Sequence, residues 1–157
     1  MPFPQTTYTG KMRPFVVGMV LNSRPKDVVS RIVADVAGIG FGLPVFQGAS
    51  PNQVTATFTL NKFIGVTERD TTLARTVSDI TFLDKYKQGE NCGVMREGVI
   101  GVMTAVAVAA DDPAYITPAG GFTNVPNSGA NEGPIGRWDS TTSGAALAKL
   151  ELLKRAS

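Results

Sequence analysis

The hydrophobic positions of this chain recur mostly at every second residue. In Gln53–Leu60 (QVTATFTL), Val54, Ala56, Phe58 and Leu60 alternate with Gln53, Thr55, Thr57 and Thr59. A strict period of two predicts a half-buried strand, and this is the clearest one in the sequence. Val28–Val36 alternates around Arg31 and Asp35 and predicts a second strand; Lys62–Val66 predicts a short one. Gly38, Gly40 and Gly42 surround Ile39 and Phe41 and lead into a bulged strand at Leu43–Phe46. Val94–Val108 is the apolar centre. Within it Gly98–Val108 is apolar on both faces, which predicts a central strand bent at Gly101. Ala114–Thr117 and Ile135–Asp139, the latter with Trp138, complete the short strands.

Turn chemistry separates these runs. Asn22-Ser-Arg-Pro25, Tyr86–Glu90 and Asp111-Asp112-Pro113 all carry turn residues. Residues 67–91 hold the densest charge and read as a polar excursion. Residues 117–136 read as a Gly/Pro/Asn-rich loop whose one charge is Glu132. A loop of that length in a small domain is usually functional or ordered by a partner. Leu147, Leu150, Glu151 and Lys154 have helical spacing, yet Ala146, Ala148, Leu150 and Leu152 form one face of a strand, so local pattern leaves the C-terminal segment open. Pro2, Pro4 and Pro14 each bar helix, and residues 1–14 read as an extended arm ahead of a single β domain over 15–157. Phe3 and Tyr8 are unusual in a merely solvated tail and suit packing on the parent domain or on a neighbouring subunit.

Composition restricts the chemistry. The 157 residues include no histidine and a single cysteine, Cys92. Ser-His-Asp, Cys-His and most zinc-hydrolase sites are thereby excluded. One cysteine forms neither an internal disulfide nor a thiolate metal site, and Cys92 reads as a half-buried inert thiol. Hydrophobic residues make up 43% and charged residues 18%, with 17 Gly and 10 Pro, which suits a real core built from many short elements. A net charge of +2 gives no electrostatic case for nucleic acid. The basic residues Lys11, Arg13, Arg24, Lys26 and Arg31 against Asp27 read as a solvated face or one suited to an acidic partner. The N-terminal stretch has no apolar core of a signal peptide, and Phe15–Leu21 is far short of a membrane span. Gly38–Gly42 lacks the spacing and following helix of a phosphate loop. Asp111-Asp112 is explained by its turn, and Trp138 reads as a core-edge aromatic more readily than a stacking platform.

Several segments occur in an order that resembles the structural cement, or head decoration, proteins of tailed bacteriophages. They are GMVLNSRPKDVVSR (18–31), IGFGLPVFQG (39–48), FIGVTERDTTL (63–73), YKQGENCGVMREGVIGV (86–102), VAVAADDPAYI (106–116), GGFTNV (120–125) and IGRWDSTTSGAALAKLEL (135–152). No single motif is diagnostic; the series carries the resemblance. The turn after the central strand reads Ala-Asp-Asp-Pro where such proteins commonly read Gly-Asp. The resemblance implies an all-β fold, a compact sandwich or barrel (jelly-roll-like), and a strand at Ala145–Leu153. It implies no catalytic, cofactor-binding or metal-ligating residues. It implies a virion protein, made in the host cytoplasm, that binds the major capsid protein on the outer surface of the head as a homodimer or homotrimer, without direct contact to nucleic acid or membrane. The arm and the 117–136 loop are the candidate contacts, with Phe3, Tyr8, Lys11, Arg13, Phe122 and Asn124 their leading residues. The competing readings are a tail or neck protein and a carbohydrate-binding β module stacking sugars on Trp138, Tyr115 and Tyr8.

Overall fold

The computed structural model describes residues 15–21, 25–73, 81–126 and 129–153. The arm (1–14) and most of the Asn22–Pro25 turn lie outside the described residues. The described chain forms β1 (Asp27–Val33), β2 (Ile39–Gly40), β3 (Pro44–Gln47), β4 (Gln53–Thr55), β5 (Phe63–Thr67), β6 (Lys85–Tyr86), β7 (Asn91–Met103), β8 (Pro113–Ile116), β9 (Phe122–Thr123), β10 (Glu132–Trp138) and β11 (Leu147–Leu152).

Nine strands join in the order β1-β4-β3-β5-β7-β11-β10-β8-β9, and a further β1–β7 pairing closes the first five into a barrel. A second ring runs from β7 through β11, β10, β8 and β9 and returns to the end of β7 by the Thr104–Phe122 bridge. Closure removes exposed sheet edges, which small β domains otherwise leave open to mispairing. Of the two forms expected for this all-β chain, the barrel is the one adopted.

The long β7 belongs to both rings. Its first half, Asn91–Glu97, pairs with β1, and its second half, Gly98–Met103, pairs with β11. The change of partner falls at Gly98, where φ is 124°, a region L side chains rarely enter. Gly101, where a bend was expected, serves a close approach: a Cβ there would stand 2.7 Å from Cδ2 of Phe15. Its N–H donates to Met19 O (2.9 Å) and its carbonyl accepts from Gly18 N–H (2.7 Å), tying residues 15–21 to β7.

Two cores follow from the two rings. Val33, Val45, Val54, Cys92 and Val94 cluster with Ile39, Phe41 and Tyr86 from the β2/β6 side. The larger core gathers Ile100, Leu150, Ile116, Ile135 and Trp138 with Phe46 and Met95. Phe46 and Met95 come from β3 and β7, so both strands feed both cores through alternation and the rings pack as one body.

Several expectations change. Gln53–Leu60 pairs only over Gln53–Thr55. The Asp35 carboxylate takes the next groups: Thr55 Oγ1 donates to it at 2.6 Å and Ala56 N–H at 2.7 Å, which bends the chain out of the ladder. Phe58 then turns onto Phe46, centroids 5.2 Å apart. The central strand stops at Met103 rather than Val108: Thr104 N–H still donates to Ala146 O (2.8 Å), but the Ala146 N–H donates to the Thr104 hydroxyl (3.1 Å). The polar excursion 67–91 contains β6, whose buried Tyr86 stacks edge-on against Phe41 at 5.2 Å. The expected 117–136 loop is shorter, because β9 and the start of β10 lie within it. Glu132 is buried and its carboxylate accepts the Asn61 backbone N–H. The C-terminal segment is a strand: β11 has a ladder on both edges, and Ala148, Leu150 and Leu152 are buried on one face.

Candidate functional site

Two neighbouring apolar depressions share Leu43 and Gly120 in their linings and are treated together as one groove with two lobes. The larger lobe, about 250 Å³, lies between Val17, Leu43, Met103 and the Gly120–Phe122 turn. The smaller, about 130 Å³, extends past Pro44 and Ala56 to Ala119. Among the described residues, no charged side chain lines either lobe. The larger lobe is below the ~300–1,000 Å³ of typical small-molecule sites, so its size suits side chains of a docking polypeptide.

Each wall is fixed from beneath. Thr67, at the end of β5 and fully buried, accepts the Leu43 N–H (3.0 Å) and donates to Gly40 O (2.7 Å) through one hydroxyl. Its own N–H donates to Leu43 O (3.0 Å). This clamp sets the Gly40–Leu43 turn and leaves the Leu43 side chain 40% exposed. Met103, the last residue of β7, is 49% exposed opposite it. The third wall is the β8–β9 turn, closed by Thr117 N–H to Gly121 O (2.9 Å), Gly120 N–H to Thr117 O (2.8 Å) and Gly121 N–H to Thr117 Oγ1 (3.1 Å). Val16 and Met19, both exposed, flank Val17 on the segment tied to β7. Exposed large apolar side chains are thus grouped around this concavity, which makes it the candidate contact surface.

Of the residues expected to make contacts, Phe122 lies in the groove, buried, with its carbonyl accepting from Ala105 N–H (2.8 Å). Asn124 lies beyond it and donates from Nδ2 to Asp112 Oδ2 (2.7 Å), so it braces the loop against the β7–β8 turn. That bond, with a second from Ala109 N–H, holds the Asp112 carboxyl below its ordinary value. Phe3, Tyr8, Lys11 and Arg13 lie outside the described residues. Leu43, Met103 and Val17 were not singled out from the sequence. Their apolar character is plain there, but exposure of an apolar residue is set by tertiary packing.

Groups with other chemistry are engaged structurally. Asp111 takes a positive φ of 74° in its turn and pairs with Arg137 at 3.7 Å. Asp27 pairs with Arg96 at 3.7 Å, and Arg31 NH1 donates to Ser30 O at 3.2 Å. Cys92 is buried, and burial pushes its thiol up to about 11. Trp138 is 1% exposed inside the larger core, which withdraws the main stacking residue of a carbohydrate module. Among the described residues no group of three or more His, Cys, Asp or Glu side chains is placed to hold a metal ion.

A family model described as Structural cement protein (E217 gp24/Pam3 gp6) matches residues 3–153. Among solved structures, a chain of "The capsid of Myoviridae Phage XM1" has the same fold, with a TM-score of 0.68 at 16% identity, over 96% of this chain and 97% of that one. No curated protein matches.

Proposed function

Because the chain belongs to the structural cement protein family, with a structural role in the phage capsid, we propose that it binds the outer surface of the expanded head and bridges neighbouring major capsid subunits. The family match over residues 3–153 carries this reading. The rigid double ring and its uncharged groove support it, since both suit protein–protein contact.

The mechanism is linkage. A packaged genome pushes outward, and joints between capsid subunits are where a shell opens. A chain that binds only the assembled, expanded lattice stabilises that state by mass action. Contacts made across a joint must break before the joint parts. Many copies on one shell act together, so modest individual contacts suffice. A homodimer or homotrimer about a local symmetry axis presents identical surfaces to equivalent capsid sites. The groove, the β8–β9 turn beside it and the arm are the contacts in this reading.

Cosedimentation of purified chain with undecorated, expanded heads tests it. Saturable binding at a fixed number of copies per head is expected. Absence of binding by a chain that circular dichroism reports as folded and β-rich contradicts the proposal and favours a tail or neck role. Removal of residues 2–14 is expected to weaken binding; unchanged binding would eliminate the arm as a capsid contact.

A further inference from the structure

We infer that Met103 is an oxidation-sensitive switch on docking: its conversion to the sulfoxide by a peroxide closes the groove beside Leu43 to a capsid partner, and docking in turn shields it. The inference rests on the cement reading, in which the groove is a capsid contact. Met103 ends β7 about half exposed, across from Leu43, and among the described residues it is the methionine that lines the groove. Met95, earlier on the same strand, is fully buried in the larger core. A thioether at an exposed strand end is open to oxidants in solution, and one in the core is shielded from them. The reaction is a two-electron oxygen transfer. The O–O bond of hydrogen peroxide breaks, an S–O bond forms at Sδ, and the other oxygen leaves as water.

The consequence follows from what surrounds the sulfur. Methionine is unbranched and apolar, and its side chain adapts to whatever packs against it. The sulfoxide is polar, and its oxygen demands a hydrogen-bond donor once water is expelled. Backbone donors of the lining are already committed within the chain. Gly42 N–H donates to Thr67 O (2.8 Å), Leu43 N–H to Thr67 Oγ1 (3.0 Å) and Ala105 N–H to Phe122 O (2.8 Å). Gly120 N–H donates to Thr117 O (2.8 Å) and Gly121 N–H to Thr117 Oγ1 (3.1 Å). The facing side chains, Val17 and Leu43, bring only hydrocarbon. Burying a polar oxygen without a partner weakens association by roughly ten- to a hundredfold. In the free chain the half-exposed side chain leaves that oxygen in water, so the fold tolerates a modification that docking does not.

Hydrogen peroxide treatment of the full-length chain tests the inference, read by peptide mass spectrometry and by cosedimentation with undecorated, expanded heads. Sulfoxide is expected to form at Met103 of the free chain well before Met95, and the Kd for heads to rise at least about tenfold as Met103 is converted. Cys92 is buried with a raised thiol and stays reduced. Met103→Leu keeps the apolar bulk and is expected to bind equally before and after treatment. Met19, exposed beside the groove, is the competing target, and Met19→Leu is expected to lose binding on treatment as the wild type does. On decorated heads Met103 is expected to resist the peroxide. Full conversion of Met103 with unchanged binding overturns the inference. So does a Met103→Leu chain that loses binding on treatment, or a Met103 oxidised as fast on heads as in solution. Where Met103→Leu binds poorly from the start, methionine sulfoxide reductase decides: binding recovered as the Met103 sulfoxide disappears supports the inference, and no recovery overturns it. All of these results leave the cement reading standing. An untreated, folded chain that does not sediment with heads overturns the cement reading, and the inference falls with it.

Discussion

Thr67 shows how one buried hydroxyl shapes the surface above it. Its oxygen accepts from Leu43 N–H and donates to Gly40 O, so a single side chain satisfies two backbone groups of the turn that presents Leu43. Thr67→Val keeps the shape and removes both bonds. It is expected to lower stability by about 1–3 kcal/mol, the cost of leaving buried polar groups unsatisfied, as read by urea unfolding. Cys92 gives a pH dependence of known sign. Burial raises its thiol from 9.0 to about 11, so the folded state keeps the proton over a range where the unfolded chain releases it. The stability this group contributes is fully present below pH 9 and declines as pH rises toward 11. Urea midpoints of the wild type and Cys92→Ala across pH 8–11 check this: the wild type should lose ground to the variant as pH rises, and a constant difference would contradict it.

At the scale of elements, alternation was legible and its interruptions were not. Val28–Val36 was readable as a strand from its alternation around Arg31 and Asp35, Leu43–Phe46 from the glycine run that leads into it, and Ile135–Asp139 as a short run with Trp138. The C-terminal segment resisted local reading, since partners on both edges, β7 and β10, settle it as β11. Gln53–Leu60 had the best pattern yet forms a strand of only three residues, because Asp35, distant in sequence, captures Thr55 and Ala56. Tyr86 was hidden in a charged stretch although its hydroxyl donates to Glu68 O at 2.8 Å from within the core. Of the groove's lining, Phe122 and the loop carrying Ala119–Gly121 were among the residues singled out from the sequence, whereas the exposure of Leu43 and Met103 follows from the clamp and the strand end beneath them. Gly98 is the element-scale prediction. At φ 124° any side chain is strained, and a Cβ would stand 3.2 Å from that of Lys26. Gly98→Val is expected to destabilise by at least about 1–3 kcal/mol, measured as a lowered urea midpoint; an unchanged midpoint would show that β7 tolerates a side chain at its change of partners.

For the whole molecule, two rings that share β7 make a stiff unit, and stiffness is what a bridge between subunits requires. A compliant link would stretch as a joint opens and resist little. The shared strand and the core contributions of Phe46 and Met95 couple the rings, so force applied at one is transmitted to the other through packed side chains and continuous ladder. Membership of the structural cement protein family places this body in the capsid, and the groove is the surface proposed for protein contact. The central claim is that occupancy makes the shell harder to open. The direct measurement is the temperature at which DNA-filled heads release their genome, with and without saturating amounts of the chain. The account predicts a rise in that temperature that grows with the number of bound copies and levels off at saturation. Heads that are fully occupied yet open at the same temperature as bare heads would contradict it.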